Sequence, residues 1–289
     1  MGRIIESSEL IINSDGSIFH LHVKPEQIAE TIILVGDPAR VTMVASNFDS
    51  VECDISSREF HTITGMYKGK RISCVSHGIG CDNIDIVVTE LDALVNIDFA
   101  TRQVKENHTT LTLVRLGTSG GLQDICPIGT YVVAEKSMGF DGLLNYYEVP
   151  EGLLDLELEA AFCAHTNWSK RIGAPYVVSA DKELVDRLGF DMVKGITIAA
   201  PGFYGPQGRY VRARPADINL NEKIMSFNHN GQIITNFEME SSALAGLGAL
   251  LDHKAITICA IIAGRVSHNM NTEYKGSVEG LIKCVLERI

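Results

Sequence analysis

Short apolar runs recur along the chain, and each is closely followed by a glycine. They are rich in β-branched residues, as buried strands are, and they cover residues 31–35, 71–75, 111–114 and 255–263. Segments with helical spacing of apolar residues lie between them and after them, at 85–94, 155–165, 181–188, 240–251 and 277–288. Strands that alternate with helices predict an α/β fold with a mixed or largely parallel central sheet.

The sequence has no stretch with linker composition, low complexity or an internal repeat. We therefore predict a single domain over residues 1–289, in which residues 1–18 form an N-terminal extension. Ligands of α/β sheets bind at the carboxyl ends of strands. The chemistry is therefore expected in the glycine-rich segments that follow the strands.

The charge balance narrows the choice of partners. The 289 residues include 36 Asp and Glu against 25 Lys and Arg, a net charge of −11. This charge disfavours nucleic acid and anionic membranes, so any bound anion needs a local group of cations. The run at 255–263 is far shorter than the ~20 apolar residues that span a bilayer, and the first residues have no signal-peptide core. We expect a cytoplasmic protein without nucleic-acid or membrane partners.

Several common sites are disfavoured by the sequence. Seven cysteines without a CxxC pair predict reduced, mostly buried thiols. His20 and His22 have the spacing of metal ligands, but no acidic or cysteine cluster accompanies them, so we expect no metal there. The P-loop, GxGxxG and HExxH patterns are missing from the sequence, and we identify no nucleophile elbow or Ser-His-Asp set, so ATP, NAD and covalent catalysis are disfavoured.

Two glycine-rich segments are candidate anion sites. In the segment 35–40, Gly36 lets a backbone N–H approach a ligand, and Arg40 can reach back to a bound anion. In the segment 115–121, Arg115 follows a very apolar run and needs a counter-anion, while Thr118, Ser119 and the glycine amides can cradle a phosphate-like group. The alternatives are an ordinary strand-to-helix turn for the first segment and a tight turn for the second, with Arg115 paired to a structural carboxylate.

A third segment suits a planar heterocycle with carbonyl edges. Gln207 and Arg209 offer amide groups and a fixed cation, and aromatic residues that include Phe203 flank them. A polar surface loop is an equally good interpretation of this segment alone.

A fourth segment suits a sugar. Glu238 and Glu240 flank Met239 where a strand pattern changes to a helix pattern. The two carboxylates can accept hydrogen bonds from a diol while Met239 packs on the apolar face of the ring. The alternative is a helix N-terminus with favourable acidic charge.

Together these segments resemble the nucleoside phosphorylase superfamily, and most closely the uridine phosphorylases. The motifs are GDPxR at 36–40, SxREF at 56–60, RxGTxG at 115–120, a GQxR-like loop at 205–209 and NxEMES at 236–241, and the resemblance runs from about Phe19 to the last helix. It implies one α/β domain around a mixed, partly barrel-like sheet flanked by helices. It also implies a homodimer or a hexamer of dimers with shared active sites.

The implied activity is that of a pentosyltransferase of pyrimidine salvage. Uridine and phosphate give uracil and ribose 1-phosphate reversibly, with phosphate as co-substrate and no cofactor. By resemblance, phosphate is held by Gly36, Arg40, Arg115, Thr118 and, from the neighbouring subunit, Arg58. The nucleoside is held by Phe203, Gln207, Arg209, Met239, Glu240 and the neighbouring subunit's His20. Of these residues, Gln207, Arg209 and Glu240 are expected to act in catalysis.

The sequence also departs from the family. Gly205 and Pro206 are interchanged relative to one common version of the loop, and Gly264-Arg265 stands where relatives often have Asn-Arg. Purine-specific relatives place an aspartate after the late strand, whereas this chain has Arg265 there, which favours a pyrimidine. Some related enzymes bind a monovalent cation, such as potassium, through the glutamate that corresponds to Glu59, but Asn83 stands where a serine often helps.

Three other functions remain open at this point. They are a purine nucleoside phosphorylase, a hydrolytic nucleosidase of the same fold and a nucleoside-binding protein without catalysis. Three arginines for phosphate disfavour the hydrolase, because water needs no such group of cations.

Overall fold

The computed structural model describes residues 3–266 and 269–289. Within them the strands are β1 (Thr31–Val35), β2 (Ser50–Ser57), β3 (Phe60–Tyr67), β4 (Lys70–Ser76), β5 (Ile97–Asp98), β6 (Gln103–Val104), β7 (Thr112–Gly121), β8 (Tyr131–Gly139), β9 (Tyr176–Ser179), β10 (Val193–Ala199), β11 (Asn228–His229), β12 (Gln232–Glu238), β13 (Lys254–Gly264) and β14 (Asn269–Met270). The helices are α1 (Pro38–Ala45), α2 (Cys81–Asn96), α3 (Leu156–Thr166), α4 (Lys182–Leu188), α5 (Leu220–Met225), α6 (Ser241–Leu250) and α7 (Lys275–Leu286). Short 3₁₀ turns cover Pro25–Gln27, Leu143–Tyr146 and Gly205–Gln207.

One large mixed sheet organises the molecule. Its main path runs β11-β12-β10-β8-β13-β7-β1-β4-β3-β2, with β9 paired to β8 and β14 paired to β13. A further antiparallel pairing joins β12 to β7 through Asn236 with Gly121 and Phe237 with Gly120. This pairing closes β7, β13, β8, β10 and β12 into a five-stranded barrel, and β1 to β4 extend the sheet from it. The expected mixed α/β fold with a partly barrel-like sheet is confirmed.

The helices begin and end where local chemistry allows. The Asp37 carboxylate accepts the Ala39 N–H at the start of α1, and Pro38 occupies the first turn, where its missing N–H costs nothing. In α6, residues 241–248 are all buried, because small side chains let the helix lie close to β13 and α2. The predicted helices and strands at 31–35, 85–94 and 181–188 all lie within or nearly on observed elements.

The alternative of a tight turn in the segment 115–121 is wrong. Strand β7 continues through these residues to Gly121. Thr118 and Ser119 pair with Ala260 and Ile261 of β13, while Gly120 and Gly121 pair with β12. A Cβ on Gly117 would lie 2.9 Å from the Arg115 Nη1, and one on Gly121 would lie 2.4 Å from the Cys126 carbonyl oxygen, so these two glycines allow close approach within a strand at the rim of the barrel.

The N-terminal segment is fastened to the rest of the chain. The Arg102 Nε donates to the Ile5 carbonyl at 2.7 Å, and Arg102 also donates to the carbonyls of Glu6 and Leu10. Leu10 and Ile18 are buried.

All seven cysteines are free thiols, and four of them are buried. In the described part of the chain, no helix has the length and apolar character needed to cross a membrane.

Candidate active site

A buried arginine lies between two carboxylates at the centre of the barrel rim. The Nη1 of Arg115 is 2.8 Å from the Oε2 of Glu238, and its Nη2 pairs with Glu240. Its Nε donates to the Nε2 of His77 at 3.1 Å. Burial alone lowers the pKa of Arg115, but Glu240 and Glu238 raise it above its usual value. The guanidinium is therefore fixed and charged, as the sequence requires of an arginine in an apolar strand.

The two carboxylates have different tasks. Glu238 ends β12 and accepts the backbone N–H groups of Glu240 and Ser241 as well as the Ser241 hydroxyl, so it caps α6. Glu240 accepts the Gly80 N–H at 2.8 Å. Burial raises the pKa of Glu240 to about 7, and the nearby Glu238 charge adds to this effect, against the opposing effect of Arg115. Glu238 therefore serves the start of the helix, and Glu240 lies against the arginine.

Three of the residues expected to bind phosphate converge around His77. A Cβ on Gly36 would lie 3.3 Å from the Gly78 carbonyl oxygen and 3.7 Å from the His77 Cε1. The charge of Arg40 is close enough to lower the pKa of His77, after burial and Arg115. Thr118 is half-buried on β7, beyond Arg115 on the same strand.

The loop residues expected to bind a base form a second cluster. The Nη1 of Arg209 donates to the Gln207 Oε1 at 2.6 Å, and its guanidinium carbon lies 3.6 Å from the centre of the Phe203 ring. The Arg265 Nη2 donates to the Gln207 carbonyl at 3.1 Å, and the Arg265 N–H donates to the Gly121 carbonyl at the end of β7. Burial and then Arg265 lower the pKa of Arg209 to about 10.

This second cluster carries uncompensated positive charge. Burial also lowers the pKa of Arg265. In residues 3–266 and 269–289, no carboxylate lies within 4.0 Å of the nitrogens of Arg209 or Arg265. A ligand group that gains negative charge here is therefore stabilised.

Met239 directly follows the last residue of β12. It is half-buried between Glu238 and Glu240, and its carbonyl accepts a hydrogen bond from the Cys81 thiol at 3.2 Å. This contact ties the segment to the start of α2.

The residues expected to serve a neighbouring subunit form a separate group. Glu90 accepts both backbone N–H groups of His20 and Leu21, and its Oε1 is 2.6 Å from the His20 Nδ1. The Arg58 guanidinium lies 5.7 Å from the centre of the Phe19 ring, and Phe19 contacts His20 edge to face. Within the described residues, no hydrogen bond joins this group to the Arg115 cluster. The structure thus places His20 and Arg58 together around Phe19.

The candidate cation site has a simple geometry. A Cβ on Gly78 would lie 2.4 Å from the Asn83 Nδ2 and 3.1 Å from the Glu59 Cγ, so the two side chains flank this glycine. No group of three or more His, Cys, Asp or Glu that could hold a metal occurs in the part of the chain that is described.

Comparison with known proteins decides the family. A family model described as the phosphorylase superfamily matches residues 30–280. The chain belongs to the phosphorylase superfamily. It is a pentosyltransferase, and membership implies a nucleoside and phosphate as its substrates.

Relatives within this superfamily have different bases as substrates. Uridine phosphorylase of Thermococcus kodakarensis is 30% identical, over 91% of this chain and 83% of the relative. A DeoD-type purine nucleoside phosphorylase of Alkaliphilus metalliredigens is 28% identical, over 93% and 97%. The crystal structure of a Trypanosoma brucei nucleoside phosphorylase that shows uridine phosphorylase activity has a TM-score of 0.87 and 28% identity, over 96% of this chain and 98% of that one.

Four residues of these clusters were not among the predicted site residues. His77 directly follows a buried strand, which is the signal that selected Arg40 and Gly36, and Glu90 is an acid among the apolar positions of α2. Glu238 was considered as a diol acceptor but not included among the site residues, and Arg265 was noted only as a departure from the purine-specific pattern. The segment after Arg265 includes residues 267 and 268, which lie outside the described residues.

Proposed function

We propose that the protein is a uridine phosphorylase, which converts uridine and phosphate reversibly into uracil and ribose 1-phosphate in pyrimidine salvage. The observation that carries the proposal is the base cluster, in which Gln207 and Arg209 lie 2.6 Å apart beside Arg265 and the Phe203 ring. An amide offers a donor and an acceptor to the alternating carbonyl and N–H edge of uracil. Two arginines favour the anion that uracil becomes when it leaves.

The other cluster fits the sugar and phosphate. Cleavage of the glycosidic bond develops positive charge on the ribose, which the bound phosphate stabilises from the face opposite the base, while Glu240 fixes the diol. Arg115, Arg40, Gly36 and Thr118 are proposed to hold the phosphate as the nucleophile. Holding both reactants in place replaces a bimolecular encounter, so no nucleophilic side chain is required.

Glu240 and Met239 are proposed to hold the ribose. Glu240 retains acceptor capacity beyond Gly80 and Arg115, because each carboxylate oxygen has two lone pairs. Met239 offers a flexible apolar side chain beside it.

The site is proposed to be shared between subunits of a homodimer or a hexamer of dimers. His20 and Arg58 form a group of their own around Phe19, as expected if they complete the site of the neighbouring subunit. A monovalent cation beside Glu59 stays a prediction. A cytoplasmic location is supported by the seven free cysteines, since disulfides are rare in reducing compartments.

A substrate panel tests the proposal. Uridine, deoxyuridine, thymidine, inosine and adenosine are incubated with and without phosphate, and sugar 1-phosphate, free base and nucleoside binding are measured. We expect phosphate-dependent turnover that is fastest with a pyrimidine nucleoside. Faster turnover of inosine or adenosine favours the purine nucleoside phosphorylase, for which the DeoD-type relatives argue. Equal base release without phosphate indicates a nucleosidase, and binding without turnover indicates a non-catalytic protein.

A further inference from the structure

His77 is a polar side chain at a wholly buried position that the proposed reaction does not use directly. It follows the last residue of β4, and its own N–H donates to the Val35 carbonyl at the end of β1. None of its side chain is exposed, so neither substrate can touch it in this conformation. Its role must therefore pass through a neighbour.

The tautomer of His77 follows from its contact with Arg115. The Arg115 Nε always carries a proton, so the His77 Nε2, 3.1 Å away, must be the acceptor. The ring is then neutral, with its proton on Nδ1. Burial, Arg115 and Arg40 all lower the pKa of His77 well below its usual value, which agrees with a neutral ring. Nδ1 makes no hydrogen bond of ordinary geometry with the described residues.

The guanidinium of Arg115 is almost fully engaged. Nε donates to His77, Nη1 lies against Glu238 and 3.8 Å from the Cys259 Sγ, and Nη2 pairs with Glu240. An arginine has five N–H groups. These contacts use four of them within the described part of the chain, so one N–H on Nη2 is left for a ligand. The direction of that group depends on the plane of the guanidinium.

We propose that His77 is a positioning residue for phosphate binding. It accepts the Nε–H of Arg115 and thereby fixes the plane of the guanidinium, so that the remaining Nη2 N–H faces the phosphate. Glu238 and Glu240 contact only Nη1 and Nη2, so the guanidinium can still rotate about the line that joins these two atoms. The Nε contact is the third point that defines the plane, and it comes from a strand end next to Gly36 and Arg40. The inference rests on the proposed phosphorolysis.

A pair of amide variants tests the acceptor position. Glutamine can place an oxygen near the position of Nε2, whereas asparagine reaches only to that of Nδ1. We expect His77→Asn to raise the KM for phosphate about tenfold, as for the loss of one hydrogen bond to a charged group. His77→Gln should keep this KM within about threefold of the wild type, and the KM for uridine at saturating phosphate should change little in either variant.

Two results of this comparison overturn the proposal. One is an equal effect of both amides on the KM for phosphate. The other is an effect on uridine as large as that on phosphate, which indicates general disturbance of the site. Thermal unfolding of both variants shows whether they fold equally well.

A measurement on the unaltered protein keeps the test independent of folding. Long-range ¹H–¹⁵N NMR spectra distinguish the two neutral tautomers of histidine from the cation, and the His77 signal is assigned by its loss in His77→Gln. We expect a neutral ring with the proton on Nδ1 between pH 6 and 8, and an Nε2 shift that changes when inorganic phosphate is added. A proton on Nε2 excludes the contact with Arg115 and overturns the proposal. If the wild type lacks phosphate-dependent turnover but shows the expected tautomer, the proposed function fails and the contact stands.

Discussion

Gly117→Ala places a methyl group directly beneath the Arg115 guanidinium. A Cβ at this position would lie 2.9 Å from Nη1 and 3.1 Å from Cζ of Arg115, and 3.0 Å from the Cys259 Sγ. Non-bonded carbon atoms prefer about 3.5–4.0 Å. The guanidinium must therefore move by roughly half an ångström, yet Glu238, Glu240 and His77 hold it in place.

The expected cost follows from this conflict. Overpacking a well-filled site costs about 1–3 kcal/mol. If the strain is relieved by displacing Arg115, kcat/KM for phosphate falls by about 5- to 150-fold, since each 1.4 kcal/mol is a factor of ten. If the strain is retained, the free energy of unfolding falls by the same amount instead.

The assay combines phosphorolysis kinetics at varied phosphate with thermal unfolding. Gly276→Ala is the matched control, because its Cβ meets nothing within 4 Å outside its own helix, and it should leave both quantities unchanged. Gly117→Ala with Cys259→Ala should recover part of the loss, because truncation of the thiol opens space. Wild-type kinetics and stability of Gly117→Ala would refute the reasoning, since the arginine would then be free to move at no cost.

Three further predictions concern other parts of the site. Arg209→Ala should lower kcat for uridine by about 10²–10³-fold, as for a lost oxyanion donor, and should change the KM for phosphate little. The control is Arg171→Ala at an exposed position, which should keep wild-type kinetics. Because the pKa of Glu240 is raised from 4.5 to about 7, the folded chain keeps a proton that the unfolded chain releases, so wild type should lose stability relative to Glu240→Gln as pH rises from about 4.5 to 7. A flat or rising difference in thermal unfolding contradicts this sign. Mixed dimers of Arg58→Ala and Arg115→Ala chains should regain activity that neither variant has alone, and inactive mixed dimers argue against shared sites.

Local sequence patterns were sufficient to predict the strands and helices, but not the pairing of β7 with β12 at the barrel rim. Runs such as 31–35 and 255–263 are short and almost entirely apolar, so their strands are visible in the sequence. The glycines at 117–121 suggested a turn because nothing nearby shows that β12 pairs with them from a distant part of the chain. A strand that carries glycines for close approach is locally indistinguishable from a turn.

The same limit applies to the site. Arg115 was correctly expected to need an anion, but the sequence left open whether that anion is phosphate or a structural carboxylate. The structure pairs it with Glu238 and Glu240 and leaves one N–H over, so the carboxylate alternative holds at least in part. The proximity of Gln207 and Arg209 was easier to predict from the sequence, because the two residues lie in one short loop.

The closure of the barrel also sets the order in which the chain can complete itself. During synthesis β7 emerges well before β12, so Arg115 is exposed before Glu238 and Glu240 are available to pair with it. A bare guanidinium cannot be buried cheaply, and contacts between distant parts of a chain form late. Strand β7 can therefore settle into the core only when Glu238 and Glu240 arrive. The pairing of β12 with β7 therefore closes the barrel and brings the carboxylates to Arg115 in the same step. A nascent chain that ends before β12 has an open barrel, in which Arg115 is solvated.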